Sequence, residues 1–253
     1  MSSTVRIDFS RPIALFPLPA VSLYPHTAEW LVAFEPRYRQ MVEDCLRARG
    51  EAPTAGSPPG SPPGSILSAA PIAMATYASR QWSGQRVGEP PLRPVVCVTK
   101  LIEHTALADG RHQVLLHGVS RARIESIAEP DGRRLYRLAR LVPIDARPGP
   151  PRRLPGFNHM LSALLAQSQL RRVQRLETVR EWLTRGSVPT EVIIEQLLPL
   201  LARGDDMRYQ LLAEPSGRER ARFVLSELAH LGQQLSRAVE RTPETALRGV
   251  HLN

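Results

Sequence analysis

Residues 34–46, FEPRYRQMVEDCL, mark the point where a short apolar run gives way to an amphipathic segment. From Tyr38 onward apolar residues recur at i, i+3, i+4, i+7 and i+8, the spacing of one buried helix face. Pro36 suits the first helical position because its missing N–H would be unsatisfied there. Glu35 places a carboxylate at the positive end of the helix dipole. We therefore predict a structural joint between a strand and a helix, not a catalytic corner.

Short β-strands are predicted on both sides of this helix. The runs before it are IALFPL (13–18), VSLY (21–24) and EWLVAF (29–34). After it come ILSAAPIAMATY (66–77), VVCVTKLIEHTAL (95–107) and partly alternating segments as far as residue 145, with Asp-Gly turn signals at 109–110 and 131–132. Six or seven strands with one inserted helix predict a small closed or half-closed β-barrel.

The remaining segments are predicted to be loops and helices. GSPPGSPPGS (56–65) is low in complexity and predicts a disordered surface loop over about residues 51–65, in preference to a proline-rich docking motif. Residues 146–156 are typical of a linker. Helices are predicted at 158–167, 170–184, about 190–198, 206–213 and 217 to about 240, with Pro199 ending or kinking the third and a Ser216/Glu219 capping box opening the last. The predicted parts are therefore a β subdomain (1–145), a linker (146–156) and a helical bundle (157–253).

The charge is strongly basic, at +9 with a pI of about 10.6. This could indicate a nucleic-acid partner. However, Lys100 is the only lysine and the arginines are scattered, so genomic bias is the preferred explanation. Cys45 and Cys97 are predicted to be free buried thiols of a cytoplasmic protein. No apolar stretch is long enough to span a membrane, and no export signal is recognised.

Catalytic motifs of the common kinds are missing from the sequence. It contains no phosphate loop, dinucleotide fingerprint, zinc-protease helix or nucleophile elbow. His104, His112 and His117 could approach one another on a hairpin, but their spacing does not match a zinc site, and exposed histidines are the preferred interpretation. We therefore expect no catalytic residue, metal or cofactor.

Three ordered landmarks resemble the N-terminal domain of Lon proteases. IALFPLPAVSLYP followed by FEPRYRQMVEDCL is similar to the opening of that domain, and CVTKLIEHTALADGRHQVLLHGVSRARI is similar to its central pair of strands, glycine and R-x-R-I strand. MRYQLLAEPSGRERARFVLSEL resembles its closing helices. The resemblance implies an α+β fold, with a PUA-like β-barrel and one inserted helix followed by a C-terminal helical bundle. Because the sequence has neither the ATPase nor the peptidase of Lon, it implies a stand-alone bacterial domain protein. One departure is Pro25-His26, where the family usually has Pro-Gly.

The function implied by the resemblance is the non-enzymatic binding of polypeptides, including apolar segments of unfolded proteins. Tyr24, Trp30 and Trp82 are the predicted peptide-contacting residues because each lies in or beside a predicted loop, although core packing remains an alternative for each. Self-association is a further expectation. RNA binding through the basic surface is the alternative function, because PUA-like barrels include RNA-modification modules.

Overall fold

The computed structural model describes residues 7–20, 23–47, 69–78, 90–144, 154 and 156–241. Within them the chain forms a mixed sheet of six strands and seven helices, which confirms the α+β class. The predicted loop at 51–65 and most of the predicted linker at 146–156 lie outside the described residues. Two compact units are present, one comprising Met1–Pro148 with Ala202–Pro215 and the other Gly149–Leu201 with Ser216–Asn253.

The strands belong to the first unit. They are β1 (Ile13–Leu18), β2 (Ala28–Ala33), β3 (Ile72–Thr76), β4 (Val95–Ala106), β5 (His112–Ala128) and β6 (Leu138–Pro143). Their order is β2-β5-β4-β3-β1-β6, and β5 also pairs with β6. Strand β1 is parallel to β3, whereas the other pairs are antiparallel. The first part of β5 pairs with β2 and its later part with β6, which leaves β2 at one end of the strand order. The PUA-like barrel stays a prediction.

Alternate residues of these strands form one apolar core. Because side chains of a strand point to opposite faces in turn, the inward set recurs every second residue. The buried cluster comprises Ile13, Leu15, Ala73, Ala75, Val96, Val98, Ala122, Ala139 and Leu141. Leu23 and Tyr24 are buried but do not form a strand, so the described part of the predicted VSLY strand is wrong. The cause is the turn that begins at Tyr24, described below.

Helix α1 (Pro36–Arg47) confirms the joint predicted from FEPRYRQMVEDCL. Its buried residues are Tyr38, Met41, Val42 and Cys45, the predicted stripe. The Glu35 carbonyl accepts the first helical hydrogen bond, from Arg39 N at 2.9 Å. The Glu35 carboxylate pairs with Arg37 at 2.8 Å and has no catalytic setting. Gln40 fixes the helix to the loop before β6, donating to Arg133 O and accepting from Leu135 N, each at 2.7 Å.

The second unit consists of helices. They are α2 (Phe157–Leu165), α3 (Ser168–Arg171), α4 (Glu177–Arg185), α5 (Thr190–Leu201) and α7 (Gly217–Arg241), with a 3-10 turn at Gln174–Leu176. The single helix predicted at 170–184 is wrong, because Val173 adopts an extended conformation that breaks it. The Arg180 guanidinium donates to three backbone carbonyls around this break, including Leu170 O at 3.2 Å. Pro199 does not end α5, which continues to Leu201; buried leucines around the proline outweigh one lost hydrogen bond.

A buried ion pair joins α5 to α7 in this unit. Arg220 Nε lies 2.9 Å from Glu195 Oε1, and both side chains are more than nine-tenths buried. Two charges removed from water remain favourable only while each has its partner. The N-terminus of α7 carries part of the predicted cap, since Glu219 N donates to Ser216 Oγ at 3.4 Å.

Helix α6 (Asp205–Ala213) groups with the strands, whereas the sequence assigns these residues to the helical bundle. The guanidinium of Arg121, almost fully buried on β5, donates to Leu212 O at 2.9 Å. Tyr209 accepts a hydrogen bond from Val95 N at 2.9 Å, while Arg93 stacks over its ring. Two landmarks of the sequence, the R-x-R-I strand and the QLL helix, are therefore held together by these contacts.

Candidate functional site

The three aromatic residues predicted to contact a peptide have different surroundings. Tyr24 is buried, with 1% of its surface exposed, and its hydroxyl donates to Arg208 O at 2.9 Å. We do not retain it as a contact residue, because a bound chain could not reach its ring. Trp82 lies outside the described residues. Trp30 is 47% exposed and is the one of the three that the structure presents at the surface.

Trp30 belongs to a row of exposed apolar side chains, which we call the apolar stripe: Trp30, Val32 and Phe34. Val32 is 41% exposed and Phe34 is 61% exposed. Trp30 and Val32 are two residues apart on β2, so the strand alternation carries them to the same face, and Phe34 follows at the same spacing just past the end of the strand. Sequence analysis missed Val32 and Phe34. The alternate spacing was the available signal, but a run in which nearly every residue is apolar does not reveal which set faces water.

The sheet explains why this set is outside. Ala33 is fully buried and Leu31 partly buried, so their face of β2 is turned inward. Trp30 stands opposite Leu115 of β5, and Val32 stands opposite Gln113. Directly opposed residues of an antiparallel pair share a face, so half-buried Leu115 extends the apolar surface beside Trp30.

A tight turn leads into β2. Thr27 N donates to Tyr24 O at 3.2 Å, which closes a four-residue turn with Pro25 second and His26 third. Proline fixes a negative φ at its position and His26 has φ +64°, so the turn is type II. His26 N donates to Gly118 O at 2.8 Å and Gly118 N donates to Thr27 O at 2.9 Å. His26 and Thr27 thus stand together opposite Gly118, as in a G1 β-bulge. The position that His26 occupies in such a bulge is ordinarily glycine.

The opposed Gly118 has no room for a side chain. A Cβ there would lie 2.0 Å from the Tyr24 carbonyl oxygen and 3.0 Å from Cys97 Sγ. Gly118 is the glycine landmark of the sequence. Its close approach to the turn fixes where β2 begins and therefore which residues form the apolar stripe.

Two exposed carboxylates lie near Trp30, although the chain as a whole is basic. Glu103 of β4 is exposed and pairs in register with Leu115, on the face of Trp30. Glu29 is exposed on the other face of β2. Neither carboxylate has an ion-pair partner within the part of the chain that the structure describes. The pKa of nearby His117 is lowered, first by burial and then by the charge of His26.

The hairpin histidines are not exposed, contrary to the sequence-based interpretation. His112 is 8% exposed and its Nδ1 lies 2.9 Å from His104 Nε2, while its Nε2 lies 3.4 Å from a carboxylate oxygen of Glu43 on α1. Packing of α1 against the hairpin buries His112 and leaves His104 half-buried. Over the residues with described positions, no three His, Cys, Asp or Glu side chains are grouped to hold a metal ion.

The two cysteines and Lys100 are also buried. Cys45 and Cys97 are free thiols inside the fold, as predicted, and burial raises the pKa of Cys45 to about 12. Lys100 is 5% exposed and its Nζ donates to Ala69 O at 3.0 Å, while burial lowers its pKa. Because the pKa of the Cys45 thiol lies well above neutral pH, the thiol stays protonated and is a poor nucleophile.

Comparison with known proteins gives one family. A model described as the ATP-dependent protease La (LON) substrate-binding domain matches residues 12–230. A Lon N-terminal domain protein from Xanthomonas campestris is similar in structure, with a TM-score of 0.55 and 18% identity, over 85% of this chain and 98% of that chain. The N-terminal domain of a Mycobacterium avium complex Lon protease gives a TM-score of 0.53 and 14% identity, over 87% of this chain and 98% of that chain. No curated protein matches. None of the described helices is long and apolar enough to cross a membrane.

Proposed function

The chain belongs to the substrate-binding domain family of the ATP-dependent protease La (LON), and from that premise we propose that it is a non-catalytic module that binds unfolded or exposed apolar segments of other polypeptides. The observation that carries the proposal is the apolar stripe on β2. Isolated apolar residues are common on protein surfaces, but a contiguous exposed apolar patch is typical of a contact surface, and here two such residues on β2 are followed by a third just past its end. The proposed location is cytoplasmic.

The chemistry of the apolar stripe suits such a ligand. Tryptophan combines a large apolar area with few rotatable bonds, and it is enriched among the residues that dominate binding energy. A non-specific receptor for unfolded chains needs apolar contact and no catalytic group. We expect Trp30 to be the main anchor, with Val32 and Phe34 extending the contact along the strand.

Equilibrium binding of a permanently unfolded polypeptide tests this proposal. A reduced and carboxymethylated protein is labelled with fluorescein and its anisotropy is measured against the purified chain. We expect Trp30→Ala to weaken binding at least about tenfold, as removal of an interface anchor does. Val32→Ser should weaken it less. Val142→Ser is the matched control, because Val142 is a strand valine that is 47% exposed on β6.

The proposal fails if the wild-type chain does not bind the unfolded polypeptide, or if Val142→Ser reduces binding as much as Trp30→Ala. The family and the similar structures give no support to the RNA-binding alternative. Filter binding of RNA at low salt serves as a separate check, since phosphate contacts would retain RNA under those conditions. Self-association stays a proposal that sedimentation over a range of concentrations would test.

A further inference from the structure

We propose that the ligand binds as an added β-strand along the free edge of β2, and that its preferred sequence alternates apolar with basic residues. This inference rests on the proposed function and specifies how the polypeptide is held. Side-chain contact with the apolar stripe alone would require no defined backbone conformation. Strand addition requires an extended ligand whose backbone groups pair with those of β2.

The hydrogen-bond pattern of β2 identifies the backbone groups that are available. Gly118 N donates to Thr27 O, so Thr27 forms a bonded pair with β5. Bonded and non-bonded pairs alternate along an antiparallel ladder. Following the register from Ala28↔His117, the pairs of Glu29 and Leu31 are bonded, whereas those of Trp30 and Val32 are not. The N–H and C=O groups of Trp30 and Val32 therefore point away from β5, toward the free edge.

Within the residues that the structure describes, the edge has little protection against strand addition. Natural sheets guard exposed edges with prolines, lysines, bulges in mid-strand or a covering segment. Strand β2 has the sequence AEWLVA, without proline or lysine, and its one bulge precedes the strand. In the described parts of the chain β2 pairs only with β5, and its residues Ala28, Glu29, Trp30 and Val32 are exposed. Glu29 is the one charge that it carries.

Charge selects the composition of the added strand. One face of that strand would lie beside Trp30 and Val32, and its other face beside Glu29 and partly buried Leu31. Cross-strand pairs of opposite charge are favourable, so a lysine or arginine suits the Glu29 face. An apolar residue facing Trp30 and a basic residue facing Glu29 give the alternating pattern.

The same argument disfavours a second copy of this chain as the occupant. If β2 of one molecule paired with β2 of another, it would offer no basic residue to Glu29, because its own sequence contains none. A separate extended polypeptide with basic residues supplies the positive charge that Glu29 can pair with. Dimerisation through β2 is accordingly an outcome that would overturn the proposal.

Blocked hexapeptides of alternating valine and lysine are the probes, and alternating valine and glutamate is the charge control. Fluorescence anisotropy with the full chain should show binding of the lysine peptide at least about tenfold tighter than that of the glutamate peptide. Two further lysine peptides carry N-methyl groups either on the valines or on the lysines. Each methyl removes one backbone donor, and alternate donors face opposite edges of an extended strand.

Strand addition predicts that one methylated peptide loses binding at least about tenfold and the other stays near the parent. Loss on valine methylation indicates an antiparallel ligand, because bonded residues then stand directly opposite Trp30 and Val32. Loss on lysine methylation indicates a parallel ligand. Equal binding of both methylated peptides, or equal loss, overturns the inference. So does tighter binding of the glutamate peptide, or dimerisation through β2 that the lysine peptide does not displace.

A pair of variants tests the same backbone groups from the side of the protein. Val32→Pro removes an N–H that faces the free edge and so leaves the β2–β5 ladder intact, as prolines on edge strands do. Val32→Thr keeps that N–H. Val32→Pro should bind the lysine peptide at least about tenfold more weakly than Val32→Thr does, with circular dichroism showing that both fold. If the unfolded polypeptide still binds but the two methylated peptides bind equally, strand addition is rejected and the proposed function stands. If neither the unfolded polypeptide nor the lysine peptide binds the wild-type chain, the proposed function is rejected.

Discussion

His26→Gly tests the backbone geometry that places the apolar stripe. His26 has φ +64°, in the left-handed region that costs a residue with a Cβ about 1–2 kcal/mol. Glycine removes this cost, but it adds about 0.4–1 kcal/mol of conformational entropy to the unfolded chain. The difference predicts a gain in the free energy of unfolding of about 0.8 kcal/mol. For a chain of this size, that corresponds to a rise in Tm of about 2–3 °C.

Thermal and urea denaturation measure the gain, with His26→Ala as the matched control. Alanine also removes the imidazole but keeps a Cβ, so it should give little or no stabilisation. Equal stabilisation by glycine and alanine would show that the imidazole, and not the backbone, is the source of the strain. A loss of stability in His26→Gly would refute the argument from φ altogether.

The same two variants have a second expected effect, on His117. Its pKa is lowered below the usual 6.5, mainly by burial and next by His26. The unfolded state therefore binds the proton more readily, and stability falls as pH drops below about 6.5. Without His26 the pKa of His117 should rise toward 6.5 and this loss should shrink. NMR titration of His117 measures the pKa; an unchanged value in both variants would contradict the predicted repulsion.

Three other perturbations have outcomes that follow from packing. Gly118→Ala puts a Cβ 2.0 Å from a carbonyl oxygen and should lower the free energy of unfolding by about 3 kcal/mol or prevent folding. Gly132→Ala is its control, because nothing lies within 4 Å of the added Cβ, and it should lose only about 1–2 kcal/mol to backbone strain. In urea denaturation, Glu195→Leu should lower the free energy of unfolding by about 3–5 kcal/mol, because it removes the carboxylate that pairs with buried Arg220. Adding Arg220→Met to that variant should restore most of the lost stability. A double variant no more stable than Glu195→Leu would contradict this. Amine-reactive labelling should leave Lys100 unmodified in the folded chain and modify it in urea, and rapid labelling of Lys100 under native conditions would show that it is not buried.

Local patterns in the sequence predicted much of the fold. The hairpin at Gly110 depends on contacts between near neighbours in sequence, and strand β1 and the long helix α7 have strong local apolar patterns; all three lie where the patterns place them. The apolar spacing after Pro36 predicted α1 and its buried face for the same reason. Where a residue's environment is set within one or two turns of chain, sequence alone suffices.

Local patterns did not predict which side chains are exposed at the surface. Tyr24 looked like a loop aromatic, yet its hydroxyl bonds to Arg208, which is 184 positions away in sequence. His112 is buried by a helix that comes much earlier in the chain. Whether Val32 faces water depends on its pairing with Gln113 of β5. Each of these environments is created by a distant segment, and a single sequence does not reveal which distant segments meet.

Site-directed photocrosslinking from the apolar stripe tests the central claim, that an unfolded polypeptide is held against β2. Phe34→Cys carries a benzophenone at a position that is 61% exposed, and Val142→Cys carries it at one that is 47% exposed on β6. The native Cys45 and Cys97 are buried and should not react with the label. Irradiation with the reduced, carboxymethylated polypeptide should give crosslinks from the first position and few from the second. Equal crosslinking from both, or crosslinks from the β6 position alone, would contradict the proposed binding surface.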